Sequence, residues 1–395
     1  MDSISTCSNE WGRSLKPPKD RFNMYYEDYW FNGTKYANSL MSVIGVTSQF
    51  PGVAVMVLNT IFIMAGLMMF RIVVPLIVNC FLIAIIIFFV IFETPSNDNR
   101  EWFYIMTLAI IMLMNICNGI YQNSIYGIVA DFPDDYINSL IIGNNLCGVF
   151  TSVMSIITTL ISPDDIELNA LLYFVISMVA MVMCLLSLVL LVRLPYYQYV
   201  MTRQKYVRDE EQADSPSLSQ YLECCKYCWV QLFNNFWVYF VSLIIFPAML
   251  SDIPGDGSVF GDKLYLAINT YLNFNLFAWI GSSMANYVQI PTRRYLWIFV
   301  VLRTLFIPYF MFCNYRPDGE RKWDVWFHSE WFSFFGNTVM AFTNGYFSSL
   351  ATIYTPSGVP EHYQKLSGML ASIFLMLGIL CGVVSTPVFA WMVKT

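Results

Sequence analysis

Amides and a tyrosine recur on one face of an otherwise apolar stretch near residue 120. Asn115, Asn118, Gln122 and Tyr126 fall within one narrow sector of a helix that turns by about 100° per residue. Side-chain amides donate and accept hydrogen bonds at once, so this surface suits a neutral ligand with hydroxyl and ring-nitrogen edges. The same groups also join helices inside a membrane. Both interpretations stay open for any single residue.

The elements that must position these residues are long apolar helices. Of the 395 residues 57% are hydrophobic and 12% charged, and the mean hydropathy is +0.55. A chain of this composition cannot expose its apolar runs to water, which predicts an all-α polytopic membrane protein with the lipid bilayer as its surroundings. No basic stripe is present, and we expect no nucleic acid partner. We predict ten spans, at about 39–66, 72–92, 102–130, 137–162, 168–192, 229–252, 264–290, 294–314, 331–353 and 367–393.

The spans divide around one long polar segment. We expect a polar tail at 1–38, a first bundle of five spans at 39–192, a central cytosolic loop at 193–228, and a second bundle of five spans at 229–395. The loop carries basic residues, then acids, then a serine-rich stretch, which is typical of a mobile linker. Lysine and arginine in short loops tend to stay on the cytosolic side, and their distribution here conflicts with ten spans. With this loop in the cytosol, nine basic residues lie inside, and the tail raises the outside total to eleven.

Charged residues are nearly absent from the predicted spans. Their cores contain no Asp, Glu, Lys or His, and one arginine, Arg303. Ion-driven pumps usually carry an intramembrane carboxylate or histidine relay, so the composition favours a passive carrier or channel for a neutral solute. No loop assembles a nucleophile with a base, so an enzyme is not expected. Cys225 and Cys228 form a CxxC with no second pair, and we predict neither a metal nor a cofactor.

Two further features have open interpretations. The guanidinium of Arg303 either is satisfied by backbone carbonyls at a helix crossing or anchors a substrate or a moving gate. Small residues let helices approach closely in membranes, so the glycines are expected to pack helices. These glycines are Gly143, Gly148, Gly368 and Gly378.

Several motifs, in order, resemble the signature of the equilibrative nucleoside transporters. They are QNSIYG at 122–127, Phe132-Pro133 with Tyr136, GNNLCGVF at 143–150, Phe246-Pro247-Ala248, Phe274-Asn275 with Trp279 and Gly281, RTLFIP at 303–308, FTNGYFSSL at 342–350, and the glycines from Gly368 to Gly382. The resemblance covers residue 25 to the C-terminus. It implies facilitated diffusion of nucleosides, and sometimes nucleobases, through a bundle similar to the major facilitator superfamily.

The resemblance also implies roles for particular residues. Gln122 and Asn275 would contact the nucleoside, and Phe246 would line the cavity. Arg303 and Asn344 would support the site. On the helical stripe of Gln122, we add Tyr126 as a substrate contact and Asn118 as a supporting residue.

The sequence departs from the family's pattern in two places. The family has eleven spans, and its first helix, with a Pro-Trp-Asn type motif, has no counterpart here. Restoring one span would return the basic tail to the cytosol and place the sequon Asn32-Gly33-Thr34 outside, where we predict glycosylation. The family's Asp and Arg, four residues apart, are Ala278 and Ser282, and the middle glycine of its fifth helix is Asn145. Loss of both charges avoids a buried unpaired ion.

The sequence therefore predicts a multi-pass nucleoside facilitator of the plasma membrane that works by alternating access. Two alternatives stay open. The chain could be a transport-incompetent form or a membrane partner of a full-length transporter. It could also be a facilitator of another neutral solute.

Overall fold

The fold is a set of packed helices. The computed structural model describes residues 50–61, 69–92, 100–161, 166–210, 218–254, 262–319 and 321–395. The predicted tail at 1–38 and the sequon at Asn32 lie outside these residues. The helices, in chain order, are α1 Phe50–Ile61, α2 Phe70–Phe92, α3 Arg100–Val129, α4 Asp134–Ile137, α5 Ser139–Ile161, α6 Ile166–Arg193, α7 Pro195–Glu210, α8 Leu218–Ile244 with a π turn at Ile245–Met249, α9 as Asp262–Tyr265, Leu266–Leu272 and Asn273–Met284, α10 Leu296–Phe312, α11 Glu330–Tyr354 and α12 Gln364–Lys394.

The predicted fold class is confirmed. The described residues form helices and no named strand. By length and composition, six of these helices could cross a membrane: α2, α3, α5, α6, α8 and α12. Two shorter apolar helices, α1 and α10, add to them. The number of ten spans stays a prediction.

Helix α6 and helix α11 show how composition fixes position in the bundle. The most apolar part of α6 has none of its residues buried, because an apolar helix can face lipid on all sides. Helix α11 carries Asn337, Asn344 and Ser348, and all three are buried against neighbouring helices. Polar groups that cannot face hydrocarbon are thus placed inside the protein.

The central segment differs from the predicted mobile linker. Helix α7 starts at Pro195, with one residue between it and the end of α6, and proline is well accommodated in a first helical turn. Its side chains Tyr197 and Val200 are buried. Helix α8 begins at Leu218, and its first turns bury Cys224 and Cys228 against Tyr363 and Leu366. These buried contacts explain why much of the segment is helical despite its polar composition.

We call α1–α6 the first half of the molecule and α8–α12 the second half. Three helices of the second half are irregular. In α8 the backbone of Phe246, before Pro247, leaves the helical region at φ −98° and ψ 134°, because the proline ring disfavours the α conformation for the preceding residue. Helix α9 widens into a π segment at Leu266–Leu272. Helix α10 tightens into one 3₁₀ turn at Arg303–Leu305. Such interruptions in membrane helices free backbone groups near functional sites.

Candidate functional site

The polar stripe of α3 is divided among different neighbours. Asn115 donates to the carbonyl oxygen of Ile111 in its own helix, at 2.9 Å. The amide oxygen of Asn118 accepts from Asn79 Nδ2 of α2, at 2.8 Å. Asn118 therefore joins two helices of the first half, and its contact is of the helix-joining kind. Two of the four stripe residues therefore already have hydrogen-bond partners within the protein.

The other half of the stripe keeps polar groups without partners. Gln122 is half-buried, and its amide makes no hydrogen bond to any described residue. One turn later, the Tyr126 side chain is 3% exposed and packs with Ile141 and Leu375, while its hydroxyl has no hydrogen-bond partner. Buried polar groups are usually paired, so the Tyr126 hydroxyl calls for an explanation. A polar solute is one.

Asn275 and Phe246 lie on the interrupted helices of the second half. Asn275 Nδ2 donates to Ser152 Oγ of α5 and to the carbonyl oxygen of Tyr271, both at 3.0 Å. The ring of Phe246 stacks on Phe274 with centroids 4.0 Å apart and meets Tyr271 edge-on at 5.7 Å. Phe246 and Asn275 thus share neighbours around Tyr271. No hydrogen bond between described residues joins this group to Gln122.

We predict no role for Trp279 from its motif alone. It follows Asn275 by one turn of α9, and its indole Nε1 is buried without a hydrogen-bond partner. An indole N–H can only donate, so it would suit an acceptor on a solute. Its place in the motif was visible in the sequence, but an unsatisfied donor can be recognised only from the fold.

Asn123 is the other residue that sequence reasoning missed. Its side chain is fully buried and accepts from Asn59 Nδ2 at 2.7 Å and from Thr60 Oγ1 at 3.1 Å. Its own Nδ2 donates to Ser372 Oγ at 3.0 Å and to the carbonyl oxygen of Met369 at 3.2 Å. Asn123 therefore ties α1, α3 and α12 together. Periodicity could not separate it from Gln122, since both are amides in one apolar helix.

Arg303 is held by neutral acceptors. It is 2% exposed and donates to the carbonyl oxygens of Val238 and Met340, at 3.2 and 3.1 Å. It also donates to Ser242 Oγ at 2.8 Å, and Ser242 Oγ lies 2.8 Å from Asn344 Oδ1. Carbonyls at a helix crossing thus engage both terminal nitrogens of the guanidinium, while its Nε is buried without a hydrogen-bond partner. The arrangement joins α8, α10 and α11 and connects Arg303 with Asn344.

The four glycines named from the sequence differ in their surroundings. A Cβ added to Gly368 would lie 2.5 Å from the carbonyl oxygen of Tyr126. On Gly378 it would overlap the carbonyl oxygen of Phe236, and on Gly148 the amide of Asn275. Gly143 differs from our expectation, because a Cβ there would meet no atom within 4 Å. It lies on an exposed part of α5.

The comparisons with known proteins decide the family. The model of the nucleoside transporter family matches residues 108–395. The chain belongs to the nucleoside transporter family. Family membership confirms the resemblance and the expectation of a transporter rather than an enzyme.

Curated relatives of this family span most of the chain. Equilibrative nucleoside transporter 3 of Rattus norvegicus is 25% identical over 371 residues, which are 87% of this chain and 77% of the relative. Equilibrative nucleoside transporter 1 of Homo sapiens is 26% identical over 318 residues, 73% of this chain and 69% of the relative. Equilibrative nucleoside transporter 2 of Rattus norvegicus is 25% identical over 328 residues, 71% of this chain and 70% of the relative.

Proposed function

We propose that this protein carries nucleosides down their concentration gradient across the plasma membrane by alternating access. The observation that carries the proposal is the match of residues 108–395 to the nucleoside transporter family. Facilitated transport needs no coupled ion, which agrees with predicted spans whose cores lack carboxylates, lysines and histidines.

We propose that the solute binds between α3 and the interrupted helices α8 and α9. Gln122 and Tyr126 carry polar groups without partners on one side, and Trp279 carries one on the other. Asn275 adds an amide, and Phe246 adds a ring on which a base could stack. A nucleoside presents hydroxyls and ring nitrogens that would satisfy these donors and acceptors. Asn118, Arg303 and Asn344 then act indirectly, by holding the helices.

Position 278 gives a reason to test nucleobases as well as nucleosides. Ala278 has no exposed surface, so this position offers no polar side chain to a ribose where the family usually has a carboxylate. Recognition would then depend more on the base than on the sugar. We therefore expect discrimination between adenosine and adenine to be weak.

Uptake of labelled adenosine, uridine and adenine tests the proposal. The full chain is expressed in cells whose own nucleoside transport is blocked or deleted, and initial rates are divided by surface abundance. We expect saturable uptake that stops when inside and outside concentrations are equal. Accumulation above equilibrium would exclude a facilitator. Normal surface abundance with no uptake above background would favour the transport-incompetent alternative.

A further inference from the structure

Hydrogen bonds between the two halves of the molecule gather toward one end. Tyr221, in the first turn of α8, donates to the carbonyl oxygen of Thr60, in the last turn of α1, at 2.5 Å. Asn123 binds the early part of α12, as described above. Both contacts lie toward the end of the molecule where α1 finishes and where α8 and α12 begin.

The longest row of such contacts joins α5 to α9. Asn138, just before α5, donates to the carbonyl oxygen of Ser282 at 2.7 Å and to Asn286 Oδ1 at 2.8 Å. Asn145 Nδ2 lies 3.2 Å from the carbonyl oxygen of Ala278. Ser152 then meets Asn275, as described above. Three α5-side residues separated by seven positions, about two turns, thus face one antiparallel helix. We call the contacts of Asn138 and Asn145 the amide clasp.

The departures from the family's pattern meet at the amide clasp. Asn145 stands where the family usually has a glycine, and its partner Ala278 stands where the family usually has an aspartate. Ser282, the partner of Asn138, stands in place of the arginine. With charged side chains replaced by small ones, the backbone carbonyls of α9 are within reach of amides from α5. The same sites thus keep a polar contact without a charge.

We propose that the amide clasp is a gate, and that Asn138 and Asn145 control how readily the two halves separate at the end that carries the segment between α6 and α8. This inference rests on the proposed alternating access. A side-chain amide on a carbonyl can be exchanged for water without leaving a buried charge, so such a contact suits repeated opening. The clasp would hold this end closed while the opposite end admits the solute.

The proposal predicts graded effects at Asn138. Asn138→Ala removes two hydrogen bonds, and loss of each neutral hydrogen bond shifts an equilibrium by about threefold to tenfold. Asn138→Asp places a carboxylate beside two oxygen acceptors, the Ser282 carbonyl and Asn286 Oδ1, and should open the clasp further. Asn115→Ala is the control. Asn115 is a half-buried amide that donates only to its own helix, whereas Asn138 is fully buried and donates to α9.

Hydrogen exchange of the purified full-length protein measures opening directly. We expect faster exchange in peptides covering 138–145 and 278–286 in Asn138→Ala, a larger change in Asn138→Asp, and none in Asn115→Ala. Unchanged exchange in both Asn138 variants would overturn the gate. If Asn138→Asp does not yield folded protein, Asn145→Ala provides the second test, with the same peptides expected to exchange faster.

Transport kinetics separate failure of the gate from failure of the proposed function. In cells, we expect Asn138→Ala to change the maximal rate of nucleoside uptake by threefold or more while KM changes less than twofold. Faster exchange without uptake in any variant, the unmodified chain included, would leave the clasp intact and remove the nucleoside assignment. Normal uptake with unaltered rate and exchange would remove the clasp alone.

Discussion

Two helix contacts in this molecule use different interactions: α8 packs on α12 through glycines, and α5 binds α9 through side-chain amides. Where α12 crosses α8, Gly378 and Gly382 bring its backbone against the backbones of Phe236 and Phe240. Where α9 meets α5, amides of Asn138 and Asn145 reach carbonyl oxygens. The first contact lies within the second half of the molecule. The second joins the two halves.

The difference matters because only one of these contacts can be exchanged cheaply. Close backbone approach excludes water and leaves no side chain that could rearrange, so separation would cost dispersion along the whole crossing. An amide contact costs about 1 kcal/mol net when it is broken and rehydrated. Glycine crossings therefore suit rigid units, and amide rows suit surfaces between units. The glycine at 368, which contacts Tyr126 of α3, shows that the division is not absolute.

The largest expected effect follows from filling a glycine crossing. Gly378→Leu places a side chain where even a Cβ would overlap the Phe236 carbonyl, so the helices must separate. Overpacking of this kind costs about 3 kcal/mol or more. We expect severe loss of monodisperse protein in fluorescence-detected size-exclusion chromatography and loss of surface expression.

Gly143→Leu is the matched control for that substitution. Its Cβ would meet nothing within 4 Å, and the residue is exposed on α5. Expression should stay near that of the unmodified protein. Equal losses in both variants would show that the crossing of α8 and α12 is not special.

Arg303 tests whether the second half moves as one unit. Its guanidinium links α8, α10 and α11 through three hydrogen bonds. Arg303→Ala removes all three bonds from a buried place, at a cost of about 3 kcal/mol. The Val238 and Met340 carbonyls then keep side-chain hydrogen bonds only from Ser242 and Thr343. We expect lower melting temperature and abundance, while KM for nucleosides in the surviving surface protein stays within twofold.

A neighbouring substitution calibrates that result. Thr304 accepts from Trp237 Nε1 at 3.0 Å, so Thr304→Val removes one neutral hydrogen bond in the same helix. Its loss should lower the free energy of unfolding by about 1 kcal/mol, so the melting temperature should fall less than in Arg303→Ala. If Arg303→Ala instead preserved abundance and raised KM several-fold, the arginine would belong to the solute site.

Part of this structure was predictable from the sequence. Long apolar runs fix the helices α2, α3, α5, α6, α8 and α12, because hydrocarbon leaves a backbone no alternative. The Phe246-Pro247 pair predicts an interruption in α8, since the residue before proline avoids the helical region. The scarcity of buried charge in the predicted spans indicates a neutral solute before any fold is known.

Other parts depend on contacts between distant residues. Gly143 and Gly378 are equivalent as sequence, yet one is in open space and the other touches a neighbouring backbone. The segment after Arg193 reads as a polar linker, but burial of Tyr197, Val200 and Cys224 makes most of it helical. Asn118 and Gln122 lie on one stripe, and only the position of α2 decides that Asn118 is engaged and Gln122 free.

The smallest expected effect comes from substituting Gln122, which can be compared with its neighbour Asn123 in the same turn of α3. Gln122 and Asn123 are adjacent amides, one without a partner and the other bound to α1 and α12. Gln122→Ala should leave abundance unchanged and raise KM for adenosine about threefold to tenfold, the loss expected for one neutral hydrogen bond. Asn123→Ala should do the reverse, because four buried contacts disappear and no solute group is involved. Concentration-dependent uptake with surface biotinylation separates the two outcomes. An unchanged KM in Gln122→Ala, with or without loss of abundance, would mean that the amide at 122 does not bind the solute.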